Sequence, residues 1–207
     1  MKFYHLQTGL LRVNSYFLVD ENTNKAILID CGEYVNKILD TAKKYGFTIT
    51  HVLLTHAHFD HSGCAKKLQD LGAKIYISKK DAEKILNGGT LSESFHKKFD
   101  CFNVDYTFCD GEILEINGIK IKVLETPGHT DGSCTFLVED KLFTGDTLFY
   151  HTYGRIDFPT GSYEDMKNSL EKLLNLEENY KVYPGHDQFT TLSAEREFDL
   201  LKELSYD

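Results

Sequence analysis

Residues 55 to 61 read THAHFDH, three histidines and an aspartate placed directly after the apolar run Val52-Leu53-Leu54. Imidazole and carboxylate groups are ligands for divalent cations, and crowding them at the end of an apolar run suggests that something is bound there. In extended chain, side chains two apart point to the same side, so His56 and His58 can reach one ion together. Asp60 and His61 fall in the turn that follows and can serve a second ion beside the first. Taken singly, each residue has an ordinary use. Asp60 could be a helix N-cap, and a lone histidine is more often a hydrogen-bonded core residue. The four together, at H-x-H-x-D-H spacing, argue for two adjacent metal sites.

Three more polar residues follow apolar runs in the same way. His129 stands in TPGHTDG after IKVLET, Asp146 in TGDT after KLF, and His186 in YPGHD after KVY. Each has a glycine beside it that lets the backbone turn sharply and present a side chain at a strand end, where sites in layered α/β folds are commonly built. The alternatives are two turn histidines and an Asx-turn aspartate. His5, His51, His96 and His151 belong to no such motif and read as surface or core residues.

The elements that must position these residues alternate in type. SYFLVD (15–20), KAILID (25–30), HVLLT (51–55) and KIYIS (74–78) read as strands. YVNKILDTAKKYG (34–46) and HSGCAKKLQDLG (61–72) carry apolar residues at helical spacing and end in glycine. In the second half, EILEI and IKIKVLET flank Asn117-Gly118, a strong hairpin signal, and CTFLV and KLFTGD continue the strands. Helices are expected over 162–176, with Met166, Leu170, Leu173 and Leu174 on one stripe, and over 190–204. Two β-rich halves with amphipathic helices imply an α/β fold of two packed sheets covered by helices on both outer faces. The stretch from 80 to 104 reads as a helix at 80–86, then Gly88-Gly89 and a loop-rich insertion.

The 207 residues suit one domain over 1–207 with a sizeable core. A formal net charge of −9 with scattered lysines argues against nucleic acid or an anionic membrane as partner. The start, MKFYHLQTGL, has no signal-peptide core and no run approaches the length of a membrane span, so the cytoplasm is the expected location. Five widely spaced cysteines (Cys31, Cys64, Cys101, Cys109, Cys134) with no C-x-x-C pair read as reduced, mostly buried thiols. Cys64, three residues after His61, could approach a metal, though a place on the inner face of a helix suits it better.

The ordered set T-H-x-H-x-D-H, P-G-H-T, G-D-T-L-F and Y-P-G-H resembles the metallo-β-lactamase superfamily over about residues 12 to 196. The resemblance implies a four-layer αβ/βα sandwich. It implies that His56, His58 and His129 bind one metal, that Asp60, His61 and His186 bind a second, and that Asp146 bridges them. The cofactor is then two divalent ions, with zinc expected first, although the ligand types suit iron or manganese as well and do not fix the metal. Asp146 stands where many true β-lactamases have Cys. The run GDTLFYHTYGRIDFPTGSYEDMKNSLEKLLNL with VYPGHDQFTTLSAER is most similar to short glyoxalase II-like hydrolases. These imply a small-molecule hydroxyacyl thioester such as S-lactoylglutathione as substrate, with no protein partner, and attack by a hydroxide generated between the metals, oriented by Asp60.

Arg155, in YGRID, occupies the position where that family holds a basic residue near the thiol carrier. It reads equally as a clamp on a substrate carboxylate or as an ion pair with Asp157. Full-length glyoxalase II proteins add a basic C-terminal helical region that grips glutathione, whereas about 20 residues follow His186 here. Asp131 and Cys64 replace the family's usual Pro and Gly. The rival enzyme within the superfamily is a mononuclear iron persulfide dioxygenase using His56, His129 and Asp146, toward which Asp187 after His186 leans. A third alternative, from another class, is a non-catalytic metal-binding protein.

Overall fold

The computed structural model describes residues 1–198 and 200–204. Its first half runs β1 (Lys2–Thr8), β2 (Val13–Val19), β3 (Lys25–Ile29), α1 (Val35–Tyr45), β4 (Thr48–Leu53), α2 (Phe59–Ser62), α3 (Ala65–Asp70), β5 (Lys74–Ser78), α4 (Lys79–Asn87) and β6 (Tyr106–Phe108). The second runs β7 (Ile113–Ile116), β8 (Ile119–Glu125), β9 (Cys134–Val138), β10 (Lys141–Gly145), β11 (Leu148–Phe149), β12 (Thr152–Tyr153), α5 (Tyr163–Leu174), β13 (Lys181–Pro184), β14 (Thr190–Thr191), α6 (Leu192–Phe198) and α7 (Leu200–Leu204).

Two six-stranded sheets form, in the orders β1-β2-β3-β4-β5-β6 and β14-β13-β10-β9-β8-β7. Strands β3 to β6 pair in parallel and the helices between them supply the crossovers. Period-two alternation explains the layering. Every residue of β2 is buried. Tyr16 and Leu18 meet Ile27, Ile29 and Leu53 of the same sheet and Ile121, Val123, Phe136 and Phe143 of the other. Phe17 and Val19, on the opposite face, pack with Ile38 of α1 and Leu68 of α3. The second sheet turns Leu142 and Val182 outward onto Met166, Leu170 and Leu173 of α5. A sheet apolar on both faces must be covered on both, which yields the expected αβ/βα sandwich of four layers.

Local signals resolve as the sequence implies at most joints. Gly46 ends α1 in the left-handed conformation, Ser78 caps α4 by accepting from the Asp81 amide, and Ser162 caps α5 likewise. Asn117 and Gly118, with φ of 52° and 74°, close a two-residue turn between β7 and β8.

Two helices differ from expectation. The span 61–72 is broken into α2 and α3, because the Cys64 amide donates to the Cys31 carbonyl and the Cys31 amide to the His61 carbonyl, at 2.9 and 2.7 Å. The loop after β3 thus takes groups that a continuous helix would use itself, and Cys64 precedes α3 as a buried residue. At the C-terminus, Thr190–Thr191 pair with β13 before α6 begins, and Asp199, inside the expected helix, lies outside the described residues. Of the cysteines, Cys31, Cys64 and Cys134 are buried while Cys101 and Cys109 are exposed.

Candidate metal centre

All seven residues singled out for metal binding converge at one edge of the sandwich. His56 and His58 follow β4, Asp60 and His61 lie in the first turn of α2, and His129, Asp146 and His186 follow β8, β10 and β13. Three groups place one ligand atom per residue within 4.8 Å of one another: His56 with His58 and His129, His56 with His61 and Asp146, and Asp60 with His61 and His186. Both trios expected from the sequence form, and Asp146 lies between them. Its Oδ2 is 3.6 Å from His129 Nε2 and 3.5 Å from His186 Nε2, and its Oδ1 is 3.3 Å from His61 Nε2.

The hydrogen bonds show what these groups are waiting for. His56 Nε2 and Asp146 Oδ1 are buried with no hydrogen-bond partner, a costly state that a cation would relieve. His129 Nδ1 donates to the Arg155 carbonyl at 2.6 Å and His186 Nδ1 to the Leu11 carbonyl at 3.0 Å. A carbonyl can only accept, so in the neutral ring each Nε2 presents a lone pair to the cluster. His129 Nε2 stands 2.9 Å from His58 Nδ1, and His61 Nε2 stands 3.2 Å from His186 Nε2. Nitrogens this close need a proton or a cation between them. The donor set, imidazoles and carboxylates with no thiolate, fits divalent metal ions.

Electrostatics agree. Burial, reinforced by the neighbouring imidazoles, pushes His56 well below the ordinary histidine range and His58 down to about 3, so both stay neutral. Burial would raise Asp146 and Asp60, yet His61 and His186 outweigh it and hold both carboxylates ionised. Burial would lower His61, yet Asp146, Asp30 and Asp60 lift it well above the ordinary range, and His186 is lifted by Asp146 and Asp60 in the same way. Metal binding must displace those protons.

Two further aspartates shape the site, and the sequence reading assigned neither a role. Asp30, buried at the end of β3, accepts from the Thr55 amide, the Thr55 hydroxyl and His61 Nδ1, each at 2.8 Å. It thereby fixes the start of the ligand loop and the His61 ring. Asp81 of α4, also buried, accepts from the Ala57 amide at 2.7 Å and the Thr130 hydroxyl at 3.1 Å, and pairs with Lys84. It ties the loop carrying His56 and His58 to the one carrying His129. Asp30 had a signal, since KAILID ends an apolar run in a polar residue as the other site-bearing strands do; Asp81 on its helix had none.

Above the cluster opens a cleft of about 400 Å³, lined by apolar Phe59, Leu91, Phe95, Phe149 and Phe158 together with five residues of the cluster, His56 and His61 lying beneath it. Leu91 and Phe95 come from the stretch expected only as an insertion. Arg155 lines the cleft, but its guanidinium holds Asp157 through two bonds of 2.7 and 2.6 Å and stacks over Phe158 at 3.9 Å. The ion pair, one of its two sequence readings, forms.

Glycine is required where the backbone meets the cluster: a Cβ on Gly185 would stand 2.3 Å from Asp146 Oδ1 and 2.6 Å from His61 Cε1. The helices are short, and none among the described residues is long and apolar enough to cross a membrane.

A four-layer sandwich with a seven-residue histidine and aspartate cluster at its strand ends defines a metal-binding protein of the metallo-β-lactamase type. Comparison of sequences agrees, and the chain belongs to the metallo-beta-lactamase superfamily, whose profile matches residues 8–186. It is 34% identical over 193 residues to the hydroxyacylglutathione hydrolase GloC of Haemophilus influenzae, covering 88% of this chain and 89% of that one. Among solved structures it is similar to the B3 metallo-beta-lactamase BLEG-1, at TM-score 0.87 and 29% identity over 95% of this chain and 97% of that one. It is also similar to ETHE1 from Myxococcus xanthus, at TM-score 0.81 and 31% identity over 96% of this chain and 83% of that one.

Proposed function

We propose that the protein is a binuclear metal-dependent hydrolase of hydroxyacyl thioesters such as S-lactoylglutathione, with zinc as its metal. The observation that carries the reading is the pair of trios with the Asp146 carboxylate between them, in a chain 34% identical to a hydroxyacylglutathione hydrolase. His56, His58 and His129 would hold the first ion and Asp60, His61 and His186 the second, with Asp146 placed within reach of both. Two ions so held would supply hydroxide at neutral pH and polarise a carbonyl.

The chain's own residues do the rest. Asp60, whose Oδ2 lies 3.4 Å from His186 Nε2, is ionised and would accept a hydrogen bond from a hydroxyl oxygen at the cluster, orienting it for attack. Asp30 holds His61 in one tautomer and orientation. The apolar cleft wall excludes bulk water from the acyl group and strengthens the electrostatics inside. Thiolate leaves readily, so no dedicated general acid is required.

The test is hydrolysis of S-D-lactoylglutathione by zinc-loaded protein, followed as loss of thioester absorbance, with Asp146→Ala as control. Turnover that needs metal and vanishes in the variant supports the reading. Absence of turnover with zinc, iron and manganese sinks it. The likeness to ETHE1 favours a second reading, an iron-dependent persulfide dioxygenase using His56, His129 and Asp146. Oxygen uptake with glutathione persulfide by iron-loaded protein would then replace hydrolysis.

A further inference from the structure

Beside the metal cleft lies a larger cavity of about 710 Å³, lined among others by Gln7, Leu11, Arg12, Tyr150, Asp187 and Phe189. The two share Leu11 and Asp187 in their walls. They form adjoining compartments of one trough, the smaller over the ligands and mainly apolar, the larger with polar and charged groups in its wall. The Leu11 carbonyl fixes His186, so the β1–β2 turn that carries Arg12 is tied to the metal cluster.

The cations of the two compartments differ in commitment. Arg155, in the small one, is held by Asp157. The guanidinium of Arg12, in the large one, makes among the described residues a single hydrogen bond, to the neutral Gln7 amide oxygen at 3.2 Å, and no ion pair. Asp187 stands in the same wall, its backbone carbonyl accepting from Asn14, and its carboxylate likewise makes no ion pair among the described residues. An available guanidinium and an available carboxylate in one cavity complement a zwitterion.

We infer that the larger cavity is the subsite for the thiol carrier, and that Arg12 and Asp187 select carriers ending in an amino-acid head group, Arg12 taking the carboxylate and Asp187 the ammonium. The inference rests on the hydrolase reading above and names its carrier class. The small compartment then takes the short acyl group, the thioester sulfur crosses near Leu11, and Tyr150 and Phe189 flank the carrier's chain.

The experiment compares S-D-lactoylglutathione with S-lactoyl-N-acetylcysteamine, whose carrier has no charge. Arg12→Gln is expected to raise KM for the glutathione thioester about ten-fold or more, the loss of one charge-assisted contact. It leaves kcat near wild type and KM for the neutral thioester unchanged, and Arg12→Lys recovers part of the effect. Asp187→Asn raises KM selectively for the same substrate. Equal shifts for both substrates, or none for either, overturn the inference. If wild type hydrolyses neither thioester, the hydrolase reading fails by itself. Calorimetric titration of metal-loaded protein with S-methylglutathione then decides the subsite: binding that Arg12→Gln weakens sustains it, and no binding to wild type removes it.

Discussion

At the floor of the cleft, His56, His61 and His129 are at most 2% exposed, and each has its second ring nitrogen bonded to Thr55, Asp30 or the Arg155 carbonyl. At the rim, Arg155 and Asp157 have side chains 57% and 64% exposed and hold mainly one another. The floor is over-determined, its three most buried histidines set by the chain that follows a strand and then by a partner outside the cluster. The rim is set by loop residues whose side chains are largely exposed. The contrast separates two properties: the floor defines the kind of chemistry, and the rim defines which molecule receives it. Losses at the floor should therefore be large and independent of substrate, and losses at the rim small and substrate-dependent.

The sharpest attempt to break that contrast is Asp146→Ala. Removing the shared carboxylate leaves His61, His129 and His186 without the oxygen they converge on. Bound metal is expected to fall below two ions per chain by elemental analysis, and turnover to fall about a thousand-fold or more, the equivalent of several kcal/mol of lost metal-centre stabilisation. A variant that keeps both ions and most of its rate would show that the floor tolerates loss of its central group.

Next in size are the buried supports. Asp30→Asn leaves the shape but takes away the charge facing His61, and should weaken metal binding about 10- to 100-fold. Asp81→Asn should do the same through the loops of His56, His58 and His129. Stepwise zinc titration against a chromophoric chelator separates the two, since Asp30 meets the His61 ring directly and His56 only through Thr55, whereas Asp81 meets the loops of His56, His58 and His129. Identical binding curves for both variants would mean that the two sites are not supported separately.

The legibility of the sequence divides along the same line. The four-layer architecture and the seven residues that cluster at its strand ends were readable, because strand periodicity and histidine spacing are local signals: four of the seven follow β4 in one motif and the other three each follow a strand of their own. Asp30 was half legible, a polar residue closing an apolar strand like the ligands, yet its partners Thr55 and His61 lie 25 and 31 residues away in sequence. Asp81 was illegible, since an acidic residue in a first helical turn is ordinary and its value comes from a contact with Thr130 across the fold. The break between α2 and α3 was hidden for the same reason, its cause being the backbone of Cys31. Leu91 and Phe95 could not be assigned to the cleft because nothing in a loop's residues states which surface it will cover.

The smallest expected effects are at Arg155 and Asp157, and they decide what the rim's pair is for. An exposed pair of this kind stabilises the fold by about 0–1 kcal/mol, so Arg155→Ala should hardly move the melting temperature, and neither should Asp157→Ala. Their kinetic consequences differ in sign. If Arg155 also reaches a substrate carboxylate, its removal raises KM several-fold with kcat near wild type, whereas Asp157→Ala frees the guanidinium and lowers KM for the same anionic thioester. If the pair serves only to stack Arg155 on Phe158 and carry the backbone carbonyl that holds His129, both variants shift kcat together and leave KM alone. Opposite KM shifts would assign the rim to substrate choice; parallel kcat shifts would make Arg155 part of the floor.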